Sequence, residues 1–424
     1  MTVTPEREVD HRSESLQSSK SAGSLESLVE SSGLRRVAIL LWRDIADPDA
    51  GGSEMHAGHL AQHWADAGVR VTMRTSSVAG LPAVQERDGY TVVRGSSRER
   101  IFAASIRDQL LGRLGPIDGV LEVWNGVPYL SPVWCRQPNV TFIHHVHRDM
   151  WDLTLSPAKA RIGRVLEQRL APPFYRRTRV VTPSSTSRQE IIDLLRLPAG
   201  NVTVAEPGVH PMFVPGRPKA ATPTILAVGR LVPYKGFQKL IELMPRVRAK
   251  VPAARLVIVG SGHQRAVLEA TADEVGARGC VQFLGRVNDH ELVAAYQEAW
   301  VLASASIAEG WGLSVTEAAA CGTPAVVSRI GGHCDAVDEG VSGLLASTED
   351  EIVQGLVKVL TDAGERERLS AGALAAARGR TWAATSRLVF EALASSAAEH
   401  ERHQQRVRRE RLTSGPVAQT GTGA

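Results

Sequence analysis

Apolar and amphipathic stretches alternate along most of the chain. Residues 37–42 form a continuous apolar run of the kind that makes a buried parallel strand. A helical pattern follows over residues 53–67 and stops at Gly68. The same alternation continues to Ala205, breaks, and restarts at Thr224. Strands that alternate with helices predict an α/β protein built on doubly wound parallel sheets.

The break in the alternation predicts two domains. Residues 208–223 are rich in Pro and Gly, as interdomain linkers often are. The first 33 residues are rich in Ser and Glu without an apolar segment, which predicts a disordered leader and not a signal peptide. The two domains are expected to face each other across a cleft into which the strand C-termini point. The predicted organisation is a disordered leader at 1–33, a first Rossmann-like, acceptor-binding domain at 34–210, a linker at 211–223, a second Rossmann-like, nucleotide-sugar-binding domain at 224–380, a crossover helix at 381–400 and a disordered basic tail at 401–424.

Composition limits the class of protein. Of 424 residues, 43% are hydrophobic and 22% are charged, as in soluble globular proteins. The net charge is only +4, which argues against a dedicated nucleic-acid binder despite a pI near 9.0. The four cysteines have neither metal-ligand spacing nor the density of a disulfide framework, so a cytoplasmic location is predicted. No apolar run approaches the length of a membrane span, so no stable membrane anchor is expected, and the oligomeric state stays open.

Residues 309–317, E-G-W-G-L-S-V-T-E, carry the most informative polar pattern. Gly310 and Gly312 permit close backbone approach to a ligand, and the helix predicted to follow would present free N–H groups to a phosphate. Glu317, about one turn into that helix, would face the same ligand and accept hydrogen bonds from two ribose hydroxyls. The pattern favours a sugar nucleotide as the ligand. The alternative is a loop glutamate, Glu309, and an ordinary surface glutamate.

Two further segments place phosphate-binding groups at the ends of predicted strands. Gly51-Gly52 forms a turn into a helix and offers backbone N–H groups, although an ordinary strand-to-helix turn has the same sequence. Arg230 follows one predicted strand and Lys235 precedes the next helix. Together they would put two cations beside a diphosphate, and otherwise they are a surface pair.

Three histidines, His144, His145 and His147, lie at the end of the strand predicted at residues 140–144. They invite a zinc interpretation, but alternation along an extended segment sets His145 opposite His144, and no second cluster supplies the remaining ligands. We therefore predict no metal and expect one or two of these histidines to form polar walls of a sugar pocket.

Over residues 37–398 the chain resembles the retaining glycosyltransferases of family 4, which have the GT-B fold. The resemblance rests on Gly51-Gly52, G-R-L-x-x-x-K-G at 229–236, residues 309–326, and Gly331-Gly332 with G-V-S-G-L-L at 340–345. It implies two doubly wound Rossmann-like domains facing a cleft, with the C-terminal helix crossing back to the first domain. It also implies catalysis without a metal, cofactor or enzyme nucleophile, in which positioning and stabilisation of the departing diphosphate do most of the work and the leaving phosphate helps to deprotonate the acceptor.

The resemblance assigns roles to individual residues. It implies that Arg230 and Lys235 hold the donor diphosphate and that Glu317 binds the ribose. His144 and Glu309 would lie at the donor sugar, and Gly52 belongs to the loop that closes over the phosphates. The predicted catalytic residues are His144, Arg230, Lys235 and Glu309. The predicted donor-binding residues are Gly51, Gly52, Arg230, Lys235, Glu309, Gly310, Trp311, Gly312, Leu313, Ser314 and Glu317.

The chain departs from the family's pattern in two places. Where the family often has G-G-x-P-E, residues 331–335 read G-G-H-C-D, so that Asp335 is a shorter acid and the proline is missing. The family's G-V-D before the linker is Gly208-Val209-His210 here. Both places lie near the family's cleft and hinge, so the choice of donor does not follow from the family average.

In this fold the first domain builds the acceptor site, and its loop at residues 44–54 is rich in acids. An acidic rim would favour a cationic acceptor such as an aminocyclitol, and otherwise these acids cap helices or are solvated. Residues 42–56, together with 74–82 and 88–94, also resemble the actinobacterial subgroup that glycosylates 2-deoxystreptamine in aminoglycoside assembly, typically from UDP-N-acetylglucosamine or UDP-glucose. The predicted acceptor-binding residues are Asp44, Asp47, Asp49, Glu54, His145, His147 and Asp149.

The leading hypothesis is transfer of a hexosyl or N-acetylglucosaminyl unit from a UDP-sugar to a small hydroxylated acceptor, with 2-deoxystreptamine as the best candidate. A rival within the class is a mannosyl- or glucosyltransferase acting on an envelope lipid. It would need a basic amphipathic face, the sequence shows no strong one, and residues 402–411 are too polar to insert. A rival from another class is a non-catalytic protein that binds nucleotide sugars, or nucleic acid through the basic tail.

Overall fold

Two α/β domains make up the chain in the computed structural model, which describes residues 23–148 and 150–413. The first domain is built on an eight-stranded sheet and the second on a six-stranded sheet. The strands of the first sheet are β1 (Arg36–Leu40), β2 (Arg70–Thr75), β3 (Val84–Arg87), β4 (Tyr90–Arg94), β5 (Gly119–Trp124), β6 (Asn139–Ile143), β7 (Arg179–Thr182) and β8 (Val202–Val204). The strands of the second are β9 (Thr224–Val228), β10 (Arg255–Val259), β11 (Val281–Gly285), β12 (Val301–Ser304), β13 (Ala325–Ser328) and β14 (Gly343–Ala346).

The first sheet has the strand order β3-β4-β2-β1-β5-β6-β7-β8, and its β3–β4 pair is antiparallel while its other pairs are parallel. Burial of β1 and β5 on both faces explains their continuous apolar runs. Because β1, β5 and β6 pair in parallel, the loops after β1 and β6 leave the same edge of the sheet. The helices of this domain are Leu25–Ser32, Gly52–Asp66, Ile101–Leu110, Ser131–Trp134, Met150–Thr154, Pro157–Val165, Pro172–Tyr175 and Ser185–Leu194, with a π-helix at Leu166–Leu170 and a 3-10 turn at Ala199–Asn201.

The second sheet is parallel throughout, with the order β11-β10-β9-β12-β13-β14. Because β9 and β12 are neighbours, the loops that follow them meet at one edge, and these loops carry the cations and the glycine-rich motif. A 3-10 turn lies at Pro233–Lys235. The helices of this domain are Phe237–Arg248, Arg265–Glu274, Asp289–Glu298, Leu313–Ala320, Gly331–Ala336, Glu349–Thr361 and Ala363–Ala377.

The last helix, Trp382–Thr413, returns to the first domain as the sequence predicts. Val389, Phe390 and Leu393 are fully buried in the core of the first domain. The indole of Trp64 donates a hydrogen bond to the carbonyl of Ser386 over 3.0 Å. The helix thus joins the two domains through apolar burial and not only through the linker.

The structure differs from the predicted organisation near both ends of the described chain. A helix forms at Leu25–Ser32, inside the leader predicted to be disordered, because Ser24 caps it and Val29 is fully buried against the crossover helix. The crossover helix was predicted to end at residue 400, with a disordered tail after it, but it continues to Thr413. The remaining parts of those two predictions, residues 1–22 and 414–424, lie outside the described residues.

Candidate functional site

A partly buried ion pair lies where the loops after β9 and β12 meet. Lys235 Nζ is 2.6 Å from Glu309 Oε1, and the hydroxyl of Ser306 donates to the same oxygen over 2.8 Å. Burial raises the pKa of Glu309, but the charge of Lys235 and these hydrogen bonds outweigh it and leave the pKa below its ordinary value. The carboxylate is therefore ionised, and it holds the ammonium group of Lys235 by an ion pair.

Gly310 and Gly312 allow the loop after β12 to pass close to its neighbours. A Cβ on Gly310 would lie 2.3 Å from the carbonyl oxygen of His144, which belongs to the other domain. Gly312 has φ +110° and caps the helix Leu313–Ala320, and a Cβ there would lie 3.1 Å from the ring of His333. Ser314 lies in the first turn of that helix, so its backbone N–H is among those the helix leaves free.

The glycine turn of the first domain closes against the second domain. A Cβ on Gly51 would lie 3.0 Å from Arg230 Nε, and one on Gly52 would lie 3.1 Å from Leu313 Cδ1. Arg230 also donates to the phenol of Tyr234 over 2.5 Å and reaches the carbonyl of Asp49 at 3.5 Å. The predicted donor-site glycines and cations of the two domains are thus in direct contact.

Neutral histidines form the wall between the domains. Burial, reinforced by the neighbouring His145 and His147, lowers the pKa of His144 to about 3. His144 Nε2 lies 3.2 Å from Nδ1 of His56, whose pKa burial also lowers well below its ordinary value. Burial lowers the pKa of His145 as well, and the charges of Lys235 and Arg230 add to the effect. These rings are uncharged at neutral pH and act as hydrogen-bonding groups.

Three buried nitrogen atoms around this wall have no hydrogen-bond partner in the described part of the chain. They are His144 Nδ1, His145 Nε2 and the indole nitrogen of Trp311. Buried polar atoms in folded proteins are nearly always hydrogen-bonded, so the adjacent residues His144 and His145 each have a ring nitrogen that can take a further partner. A hydroxylated ligand between the domains would supply one.

Glu317 is buried one turn further along the helix that Gly312 caps. Its Oε2 accepts a 2.6 Å hydrogen bond from the phenol of Tyr296, while Oε1 has no partner among the described residues. Burial raises the pKa of Glu317 to about 7, although the Tyr296 hydrogen bond opposes the shift. One oxygen, and not two, is therefore free to accept a hydrogen bond from a ligand.

The acids predicted to form an open acceptor rim are neutralised within the protein, so the prediction of an open acidic rim is wrong. Asp44 is fully buried between Arg87 and Arg94, at 2.7 and 2.5 Å, and these two arginines overcome the effect of burial and lower its pKa. Glu54, also fully buried, pairs with Arg43 at 3.2 Å and accepts from the N–H of Gly51. Arg98 neutralises two further acids at 2.5 and 2.8 Å, Asp47 and Asp49.

His147 belongs to a buried cluster instead of standing free. Its backbone N–H and its Nδ1 both lie near Glu167 Oε1, at 3.0 and 3.2 Å, and the indole of Trp151 donates to the other oxygen over 2.9 Å. Gly126 packs against this cluster, since a Cβ there would lie 2.7 Å from the Trp151 ring. Asp149, predicted as an acceptor residue, lies outside the described residues.

The departures from the family's pattern have separate structural roles. Asp335 accepts hydrogen bonds from the N–H groups of Ser185 and Thr186, at 3.2 and 3.0 Å, and from the Ser185 hydroxyl. This carboxylate therefore caps the helix Ser185–Leu194 of the other domain, and we call the contact the Asp335 clasp. His210 accepts from the N–H of Met212 at 3.2 Å and lies beside His59 near the crossover helix.

The structure thus brings most of the predicted donor residues together and adds residues that the sequence did not single out. His56, Tyr296 and Tyr234 touch predicted site residues but come from distant segments with no motif of their own. Within residues 23–148 and 150–413, no group of three or more His, Cys, Asp or Glu side chains is arranged to hold a metal ion. No helix in this part of the chain is both long and apolar enough to span a bilayer.

Solved structures share this architecture over most of the chain. Sucrose-phosphate synthase from Thermosynechococcus elongatus matches with a TM-score of 0.69 and 19% identity, over 88% of this chain and 100% of its own. Anabaena HepE, solved in complex with UDP and glucose, matches with a TM-score of 0.67 and 19% identity, over 85% and 100% of the two chains. These likenesses show that the chain has the GT-B fold.

The amino-acid sequence places the chain more narrowly. The model of "Glycosyltransferase Family 4" matches residues 50–213, and that of "Glycosyl transferases group 1" matches residues 214–375. A D-inositol 3-phosphate glycosyltransferase from Stackebrandtia nassauensis is 31% identical over 385 residues, which cover 80% of this chain and 85% of the relative. One from Frankia alni is 30% identical over 384 residues, covering 81% and 94%. The chain belongs to the family 4 glycosyltransferases, and the predicted class of enzyme is confirmed.

Proposed function

We propose that the protein transfers a hexosyl or N-acetylglucosaminyl unit from a UDP-sugar to a hydroxyl of a cyclitol, with retention of the donor's anomeric configuration. The observation that carries the proposal is the pair of unpaired buried ring nitrogens of His144 and His145, in the segment that Gly310 of the Lys235–Glu309 loop approaches. Hydroxyl groups of a donor sugar would satisfy the nitrogens, and a diphosphate would satisfy the lysine.

The proposed reaction needs no covalent intermediate with the protein. The bond between the sugar C1 and the diphosphate oxygen breaks, and the acceptor oxygen bonds to C1 on the same face. The acceptor proton passes to the leaving phosphate oxygen, so the products are UDP and the glycoside. Arg230 and Lys235 would stabilise the charge that develops on the diphosphate. His144 and His145, being neutral, would orient sugar hydroxyls without competing for that proton.

UDP is the proposed nucleotide because it is named in the HepE complexes, with glucose or UDP-glucose, and agrees with the subgroup resemblance of residues 42–56. Glu317 Oε1 would accept from the ribose, which supports a nucleoside but does not select the base.

A cyclitol is the proposed acceptor because both available likenesses share that ring. The opening motif resembles enzymes that act on 2-deoxystreptamine, and the relatives are named for inositol 3-phosphate. Charge does not favour an aminocyclitol over an uncharged cyclitol, since Asp44, Asp47 and Glu54 are neutralised by arginines. The proposal therefore rests on the polyhydroxylated ring and not on its charge.

A donor-by-acceptor panel tests the proposal. UDP-glucose, UDP-N-acetylglucosamine and GDP-mannose would each be combined with 2-deoxystreptamine, inositol and inositol phosphate, and the products would be identified by mass spectrometry. Proton NMR of the anomeric signal would report the configuration. We expect a glycosylated cyclitol from a UDP donor with the configuration retained. Inversion, or transfer to lipid acceptors while every cyclitol is refused, would contradict the proposal.

The same panel separates an enzyme from a non-catalytic binder. Lys235→Met would remove the cation beside the proposed diphosphate, whereas Lys239→Met would remove an exposed lysine of the adjacent helix that pairs with Glu349. Product formation that falls with the first variant and not with the second would locate turnover at the proposed site. Tight UDP-sugar binding without any product, over the whole panel, would favour the binder.

A further inference from the structure

The first domain carries large apolar side chains that face solvent. Leu153, Leu155, Ile162, Leu170 and Phe174 are between 39% and 68% exposed. All of them lie within residues 153–177, which we call the basic ridge. Exposed apolar groups that concentrate in one segment of a soluble protein mark an interaction surface more often than chance exposure does.

The apolar residues of the basic ridge repeat with helical spacing. Ile162, Leu166, Leu170 and Phe174 follow one another at intervals of four residues. They belong to consecutive helical pieces, Pro157–Val165, the π-helix Leu166–Leu170 and Pro172–Tyr175. Residues four apart on a helix share a face, so these side chains form a stripe. A π-turn at Leu166–Leu170 thus separates the first of these helical pieces from the last.

The basic ridge is also strongly cationic. Its six basic residues and one acid give a net charge of +5, compared with +4 for the whole chain. The acid, Glu167, is buried against His147 and Trp151, and one of the six cations, Arg164, pairs with Asp152 just before the ridge. The basic residues are Lys159, Arg161, Arg164, Arg169, Arg176 and Arg177.

An arginine-lined hollow adjoins the apolar stripe. Arg169, Arg176 and Arg196 line an open cavity of about 490 Å³ together with Pro173 and Leu194. In the described part of the chain, the guanidinium groups of these three arginines form no hydrogen bond or ion pair with another residue. Unpaired arginines around a concavity are suited to phosphate oxygens, which guanidinium groups bind in bidentate geometry.

The basic ridge begins beside the proposed active site. The helix Met150–Thr154, which leads into it, contacts the turn Pro233–Lys235 of the second domain. That turn holds the lysine of the Lys235–Glu309 pair. A surface on which the ridge rested would therefore lie near one end of the cleft.

We propose that the basic ridge docks the enzyme reversibly on an anionic lipid bilayer. Leu170, Phe174 and Ile162 enter the interface, and the arginines of the hollow bind lipid phosphates. An apolar stripe with flanking cations is the combination that holds a helix in the plane of a membrane, whereas either part alone binds weakly. The proposal differs from the expectation from sequence that the chain has no strong basic amphipathic face, and it is independent of which acceptor the enzyme uses.

Sedimentation with vesicles tests this surface in the full-length protein without substrates. We expect binding to phosphatidylcholine vesicles that contain phosphatidylglycerol, little binding to pure phosphatidylcholine, and release at high salt. Arg169→Glu/Arg176→Glu should weaken binding by about tenfold or more, because each cation contributes strongly near an anionic surface. Leu170→Ser/Phe174→Ser should weaken it comparably by removing the groups that insert.

Matched variants elsewhere on the protein serve as controls. Arg402→Glu/Arg408→Glu reverses two exposed charges on the crossover helix, and Val267→Ser/Val341→Ser removes exposed apolar groups of the second domain. We expect both to bind vesicles like the wild type. The proposal is overturned if the wild type ignores anionic vesicles, or if reversing the crossover-helix charges abolishes binding while the ridge variants retain it. Transfer to soluble cyclitols is measured without lipid, so its failure is distinguishable from failure of docking.

Discussion

At the scale of single residues, Glu309 holds the ammonium group of Lys235 in place by an ion pair. The lysine contacts the carboxylate at 2.6 Å in the free protein, and a bound diphosphate would compete for the same ammonium group. The carboxylate also keeps the hydrogen bond from the Ser306 hydroxyl. If the proposed function holds, the pair positions the lysine before the donor arrives, which would reduce the ordering that binding requires.

Replacing Lys235 with Ala should lower kcat/KM by about tenfold or more, since one charge-assisted hydrogen bond to the leaving group is lost. The release of UDP from UDP-sugar in the presence of acceptor measures the effect. Lys239→Ala is the matched control and should behave like the wild type. The double variant Lys235→Ala/Glu309→Gln separates chemistry from folding: recovery of activity in the double variant would mean that the lysine serves only to neutralise Glu309.

Glu317 should make donor binding depend on pH. Its pKa is about 7 in the free protein, and a ribose hydroxyl hydrogen-bonds better to the ionised carboxylate, so binding should lower the pKa. Affinity for the UDP-sugar is then highest above pH 7 and falls as the pH drops through about 7. Calorimetry in two buffers of different ionisation enthalpy should detect proton release near pH 7. Glu317→Gln should bind more weakly and release no proton; unchanged proton release in that variant would assign the effect to another group.

Residues in short motifs could be singled out from the sequence, whereas the side chains that contact them could not. Gly51, Arg230 and Lys235 stand in short patterns whose chemistry is local. The acid-rich loop at residues 44–54 wrongly suggested an open acidic rim, because the arginines that neutralise it, Arg87 and Arg94 among them, come from strands some forty to fifty residues away. His56 likewise reaches His144 over a sequence distance of 88 residues, which no local pattern reveals.

At the scale of elements, loops fixed by parallel strands bring the two domains into contact. The loop after β12 approaches the end of β6 so closely that only glycine fits at position 310. The first strand followed from the apolar run at residues 37–42, because a strand buried on both faces of a sheet is apolar throughout. The π-turn at Leu166–Leu170 did not, since one extra residue per turn leaves no compositional signal.

Gly310→Ala should reduce kcat/KM by about tenfold or more while leaving the melting temperature nearly unchanged. The added methyl group would lie 2.3 Å from the His144 carbonyl oxygen, so the loop or the domain must move away from its catalytic position. Steady-state kinetics and thermal unfolding would be measured together. Gly379→Ala is the control, because nothing lies within 4 Å of its added Cβ. Equal activity of the two variants would show that this approach of the domains is not needed for turnover.

At the scale of the whole molecule, the first and last of the described helices pack together on the first domain. The helix Leu25–Ser32 packs on the crossover helix, and both contribute to the core of that domain. The sequence predicted the crossover but not this partner, because eight residues with a single fully buried side chain carry little apolar pattern.

Val29→Ala should destabilise the protein by about 2 kcal/mol, the expected loss for two buried methyl groups with a small cavity. Denaturant unfolding monitored by tryptophan fluorescence would measure the change in the free energy of unfolding. Val341→Ala, at a valine that is 53% exposed, should change it by less than about 0.5 kcal/mol. An unaffected Val29→Ala variant would mean that the leader helix contributes nothing to the fold.

The Asp335 clasp gives the two domains a polar fastening that is separate from the apolar crossover helix. One carboxylate of the second domain caps a helix of the first, with two backbone N–H groups and a hydroxyl as donors. Any motion that separates the helices Gly331–Ala336 and Ser185–Leu194 must break all three bonds and leave two N–H groups of a helix end to water. This single side chain therefore adds to the free energy needed to part the domains, whatever ligand lies between them.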